Sequence, residues 1–171
     1  MLLEYGNTVV LPDWELREKV PLGYSRIYYI MSGEVTYSDE ELTCCLVPGR
    51  LYALPSTQPY HVWRNRSMDF CCTYLHMVFP QAHVTGLIEM EPARDCLCSY
   101  IHSLQCAIQE QRADLLEALS DSLGAFLRGN IRFVSSSPMV NRVRTFIFEH
   151  ISEEIKVEEL SGLQGYNPNY F

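Results

Sequence analysis

Apolar and polar positions alternate in short runs through the first 80 residues, and a turn signal stops each run. Residues 16–20 alternate before Pro21-Leu22-Gly23, and residues 26–31 form a β-rich run ending at Ser32-Gly33. Extended structure resumes over 34–37, and Ser38-Asp39-Glu40-Glu41 is a polar turn. Residues 42–47 are closed by Pro48-Gly49, 51–54 are stopped by Pro55, and 60–63 and 70–79 complete the set. Short strands at regular spacing with Gly/Pro punctuation predict an all-β sandwich or barrel. Residues 1–12 read as an N-terminal arm.

The period changes near Pro92. Leu97, Ile101, Leu104 and Ile108 recur at helical spacing, and a second run carries Leu115, Leu116, Leu119, Leu123 and Phe126 before a stop at Gly129-Asn130. Residues 110–114 join them, short enough for an antiparallel hairpin. Ser135-Ser136-Ser137-Pro138 reads as a linker. Val140, Val143, Phe146, Ile147 and Ile151 then form one apolar stripe. A short helix over 157–164 carries Glu158 and Glu159 in its first turn, where the helix dipole favours them. Gly165 breaks it, and Asn167-Pro168 supplies an N-cap and a first-position proline for another helix. Helix, three-residue turn, helix is the helix-turn-helix plan. The sequence ends at Phe171, about one turn into the recognition helix of that plan.

Charge narrows the function classes. The formal net charge of -8 is the wrong sign for a lone DNA-binding module, which neutralises phosphates. Eight of the eleven tyrosines precede residue 80, which suits strands around an amphipathic pocket. Residues 1–4, Met-Leu-Leu-Glu, have neither the basic nor the apolar region of a signal peptide, and no apolar run reaches membrane-span length. Seven cysteines, an odd number that includes two adjacent pairs, do not make a secreted disulfide framework. A cytoplasmic protein with no membrane partner is expected.

Residues 139–171 resemble the start of the AraC-type DNA-binding domain. The resemblance is carried by the stripe helix, the Glu-Glu-Leu helix, the Gly165-Tyr166 turn and the Asn-Pro-x-Tyr-Phe opening at 167–171. Ser161 and Gly165 stand where that family favours a small residue and a glycine, so that two helices cross closely and the turn is tolerated. Lys156 departs from the usual Thr or Ser cap, and Gly162 is a poor mid-helix residue. The segments 26–37, 47–63 and 73–80 are similar to the same family's cupin-like sensor barrel, with Pro48-Gly49, Pro55 and His61 at matching turns. The resemblance implies a mainly β plus α fold: a cupin-like jelly-roll β-barrel over 1–90, a helical hairpin for dimerisation over 91–134, and a linker with a partial helix-turn-helix over 135–171. It also implies a homodimer that reads DNA only in a fuller form, with Asn167, Asn169 and Tyr170 at the opening of its recognition helix.

Candidate chemistry is that of a binding pocket. In the last strand of the β-rich half, Cys72, Tyr74, His76 and Val78 share one face, and Thr73, Leu75, Met77 and Phe79 share the other. The first face mixes aromatic and polar groups, and the resembled family takes ligand contacts from alternate residues of this strand, with Tyr74 and His76 at matching positions. Tyr28, Tyr37, His61 and Trp63 are expected on the same cavity. Aromatic rings with hydrogen-bonding tips are compatible with a sugar or similar polar metabolite.

The rivals are a metal-dependent cupin enzyme and a dimerisation module whose barrel binds nothing. The enzyme lacks ligands: residues 26–37 hold Glu34 but no histidine, and His61 supplies only a late one. Cys98, His102 and Cys106 share a helix face, more simply read as small hydrophobes than as a metal site. Arg64 and Arg66 flank Asn65 in what reads as a solvated turn. No catalytic residue, metal or cofactor is expected.

Overall fold

The β-rich half pairs into two antiparallel sheets because alternate residues of nearly every strand are apolar, so each sheet has one face to bury. A computed structural model describes residues 1–11, 13–64, 69–79, 82–91, 96–129, 132–135, 137–163 and 165. The strands are β1 (Leu2–Val10), β2 (Glu15–Glu18), β3 (Ser25–Ser32), β4 (Val35–Ser38), β5 (Thr43–Leu46), β6 (Leu51–Ala53), β7 (Tyr60–Arg64), β8 (Phe70–Met77), β9 (Ala82–Val84) and β10 (Ile88–Met90). One sheet has the order β1-β8-β3-β6-β10, the other β2-β7-β4-β5. Tyr28, Ile30, Tyr52, Leu54, Phe70 and Cys72 from the first meet Val35, Tyr37, Leu46, Tyr60 and Val62 from the second in one buried cluster.

Two expectations are corrected. Residues 2–10 are not a separate arm: they pair along β8 from Leu2↔Met77 to Val10↔Phe70. Nor do the sheets close into a jelly-roll barrel. β1 and β2 follow each other in sequence, but β1 bonds to β8 and β2 to β7, which leaves both as edges of different sheets. Two short strands, β9 and β10, also lie in a stretch without clear alternation.

Helices α1 (Cys96–Gln109) and α2 (Ala113–Arg128) form the expected hairpin. Gln111, at φ 55°, makes the turn. The hairpin buries Leu97, Ile101, Leu104 and Ala107 from α1 and Leu116, Ser120, Leu123 and Leu127 from α2. The α2 stripe thus differs from the expected one, and Leu115 is 39% exposed. The Tyr100 hydroxyl donates to the Leu119 carbonyl and its ring meets Phe126 at 5.0 Å, which ties the two helices.

The chain divides into two compact units: Met1–Phe79 with His83–Val134, and Pro80–Ala82 with Ser135–Phe171. A last strand, β11 (Phe133–Ser135), pairs with β9. In the second unit α3 (Pro138–Glu149) starts with proline in its first turn, where the missing N–H costs nothing. Helix α4 (Val157–Gly162) starts at Lys156, whose backbone N–H donates to the Glu159 carboxylate at 2.9 Å and offsets part of the missing Thr or Ser cap. Ser161 is the buried residue of α4, and Gly165 has φ 69°, the left-handed turn that glycine tolerates.

Candidate functional site: a cavity at the β1–β2 edge

Where β1 and β2 part, the two sheets leave a cavity of about 620 Å³, within the range of small-molecule sites. One wall is the inward face of β8 and β3: Phe70, Cys72, Tyr74 and His76, with Arg26 and Tyr28. The other is the end of β1, the turn and β2, through Val9, Val10, Leu11, Trp14 and Leu16. Trp14 stacks toward Phe70 at 6.3 Å between centroids. Gly6 lies opposite Tyr74 in the ladder, and a Cβ there would stand 2.9 Å from the Tyr74 ring, so the glycine lets that ring lie over β1.

Arg64 holds the β1–β2 turn. It is 6% exposed, donates from Nη1 to the Val10 carbonyl at 2.7 Å, and pairs with Asp69 at 3.2 Å. Its backbone N–H donates to the Trp14 carbonyl at 3.3 Å. The solvated turn expected for Arg64 is therefore corrected: as an inward residue of β7 it must find partners, and it finds the turn's carbonyl. Arg66 lies outside the described residues.

One end of the cavity is polar. His76 Nδ1 stands 2.8 Å from the Glu4 carboxylate, which also accepts from the Tyr74 hydroxyl at 3.3 Å. Arg26 donates to Glu18 at 2.5 Å, to the Tyr60 hydroxyl at 2.9 Å and to the Tyr24 hydroxyl at 3.1 Å. Burial, then the nearby Arg26 guanidinium, hold His76 below its ordinary 6.5 even though Glu4 pulls the other way. Burial pushes the Tyr28 phenol well above its usual range and, with Cys71 beside it, the Cys72 thiol up to about 12. Cys72 is thus a neutral thiol at physiological pH and no activated nucleophile. The arrangement is suited to binding a body with a large apolar part and orienting it through a few polar contacts.

Of the residues selected by sequence, Tyr28, Tyr74 and His76 line this cavity. Tyr37, His61 and Trp63 do not, and their expected place on the shared cavity is corrected. Tyr37 is fully buried in the filled part of the core, stacked on Tyr60 at 5.9 Å, with its hydroxyl donating to Asp39 at 2.6 Å. His61 and Trp63 alternate with the buried Tyr60, Val62 and Arg64, so they stand on the outer side of β7 with rings 4.5 Å apart. His61 faces Glu15 at 3.4 Å there. Asn167, Asn169 and Tyr170 lie outside the described residues. Sequence reasoning missed Arg26, which follows from Tyr28 by alternation, and Trp14 and Glu4, which belong to the segment taken as an arm and its exit turn.

No group of three or more His, Cys, Asp or Glu side chains is placed to hold a metal among the described residues. On α1, Cys106 and His102 approach at 3.7 Å, while Cys98 is exposed. No described helix is long and apolar enough to cross a membrane.

No protein-family model matches the sequence, and no curated protein matches it. Solved structures do match. The fold resembles that of ToxT from Vibrio cholerae. Apo ToxT K231A superposes with a TM-score of 0.61 at 10% identity, covering 95% of this chain and 70% of that one. ToxT bound to (E)-4-(8-methylnaphthalen-1-yl)but-3-enoic acid gives 0.63 at 7% identity, covering 96% and 72%. ToxT with unsaturated fatty acid bound gives 0.61 at 9% identity, covering 96% and 69%. At these identities the likeness to ToxT is one of fold, and the side chains around the cavity are this chain's own.

Proposed function

We propose that this chain is the effector-sensing and dimerising region of an AraC-type transcription regulator in the cytoplasm, with the opening of its DNA-reading domain at the C-terminal end. The cavity at the β1–β2 edge carries the reading, because a concave, mostly apolar space with a few convergent polar groups is what an effector site needs. The likeness to ToxT, an AraC-family protein solved with small molecules bound, supports it, as does the resemblance over 139–171.

The effector is a small amphipathic molecule. Val9, Val10, Leu11, Trp14, Leu16 and Phe70 offer it far more apolar than polar surface, which favours an apolar body over the sugar that aromatic content alone admits. Strand β8 is the element that passes on its presence. Cys72, Tyr74 and His76 face the cavity, while Thr73 between them bonds to Asn7 of β1 at 2.8 Å and accepts from Gln105 of α1 at 3.1 Å. A ligand that shifts β1 or β8 therefore shifts the hairpin, whose Leu115 stays partly exposed for a second copy. The homodimer would place two DNA-reading domains in the fuller protein. The proposed role is regulatory.

Thermal unfolding with panels of small amphiphiles and of sugars or uronic acids tests this. A saturable rise in Tm, lost in Trp14→Ala, is the expected outcome. Shifts with sugars alone would replace the amphipathic effector by a sugar, and no shift with any member would overturn the sensing role.

A further inference from the structure

We propose that the effector of this cavity is an organic cation, an amine or related base joined to an apolar body, rather than a carboxylic acid. This rests on the sensing role proposed above and adds the charge of the ligand. The groups around the cavity set that charge. Three carboxylates line it, Glu4, Asp13 and Glu15, against the single guanidinium of Arg26. The Glu4 and Glu15 side chains are 60% and 61% exposed, so both stay open to an entering group beside their contacts, Glu4 with His76 and Tyr74 and Glu15 with His61.

Arg26 offers little to an anion. Its side chain is 11% exposed, and its donors are engaged by Glu18, Tyr60 and Tyr24. Its charge also rests against the Tyr24 ring at 5.4 Å. A ligand carboxylate would have to displace Glu18 from a short, part-buried ion pair and then sit among the remaining acids. His76 adds no positive charge at neutral pH, since burial and Arg26 disfavour its protonation. An ammonium group meets the opposite conditions. The acidic edge draws it in, and the half-buried rings of Trp14 and Tyr74 present faces that attract cations. The acids bound in the ToxT structures belong to a protein 7–9% identical, whose pocket side chains this chain does not inherit.

Three probes with one apolar body separate the possibilities: naphthylethylamine, naphthylethanol and naphthylacetic acid, titrated calorimetrically into the whole chain. The amine is expected to bind about tenfold more tightly than the acid. Its affinity should fall with added salt and weaken about fivefold in the double variant D13N/E15Q. The alcohol should respond to neither change. Binding of the acid as tightly as the amine, or an amine affinity indifferent to D13N/E15Q, would overturn the charge assignment and leave the sensing cavity standing. Binding by none of the three to a chain that still unfolds cooperatively would count against the cavity as an effector site, a separate result.

Discussion

The two flanks of the space between the sheets use the same kinds of residue to opposite ends. On the β4–β5–β6 flank, Tyr37, Tyr52, Leu46 and Leu54 fill the space completely, each with 0% exposure. On the β1–β2 flank, Trp14, Tyr28, Tyr74 and Phe70 surround a cavity. Aromatic content does not separate them. The filled flank is crossed by connections that draw the sheets together: the Tyr52 hydroxyl accepts from the Val47 N–H at 3.0 Å, and Gly49 donates to Ile30 at 2.9 Å. On the open flank β1 and β2 bond away from each other, and the turn between them is held at its ends, by Arg64 on the Val10 and Trp14 carbonyls. Whether tyrosines make a core or a pocket is decided by how closely the chain ties the two sheets at that side.

That contrast can be broken first on the filled flank. Tyr37→Ala should cost about 3–5 kcal/mol, since nothing can move in to replace a fully buried ring. Chemical denaturation measures it, and a loss below about 1 kcal/mol would mean that this flank is as loose as the other. Gly33→Ala should cost about 2 kcal/mol. The residue sits at φ 77° where the chain passes from β3 to β4, and a Cβ would run into the Asp69 carbonyl oxygen. Trp14→Ala on the open flank should cost only about 1 kcal/mol, because the ring is part-exposed and already borders empty space. The same change should abolish ligand-induced stabilisation, a split between stability and binding that Tyr37→Ala cannot show.

The smallest effect is a pH dependence that also divides the flanks. His76, on the cavity, is held below 6.5 in the folded chain, so the unfolded chain takes up its proton first on acidification. Its contribution is complete above pH 6.5 and is lost as pH falls through the lower folded value. Asp39, on the filled flank, keeps its carboxyl below 3.8: burial pushes it up, but hydrogen bonds from Tyr37, the Glu41 and Leu42 backbone and Gln58 prevail. Its contribution is present above pH 3.8 and is lost below, in a separate acid step. Denaturation midpoints followed from pH 8 to 3 should show both, and His76→Gln should remove only the upper one.

Much of the β-rich half was legible from alternation and turn residues. The runs now seen as β3 to β8 were placed within a few residues, because Gly33, Gly49 and Pro55 mark where strands stop. β1 was not legible: Gly6 and Asn7 interrupt its pattern, and it becomes a strand only by pairing with β8. The site was half legible. Alternation along β8 put Cys72, Tyr74 and His76 on one face, where they are, but alternation within β7 does not say which of its faces turns inward, and His61 and Trp63 fell on the outer one.

The sequence by itself determined the local elements, since turn chemistry and apolar period act over a few neighbouring residues. It also determined which residues within each strand travel together on one face. Only the tertiary structure decided which strands became edges, that Arg64 is buried rather than solvated, and that a cavity opens between β1 and β2. Those outcomes depend on partners tens of residues away, and no local preference encodes which distant backbone will supply the missing hydrogen bonds.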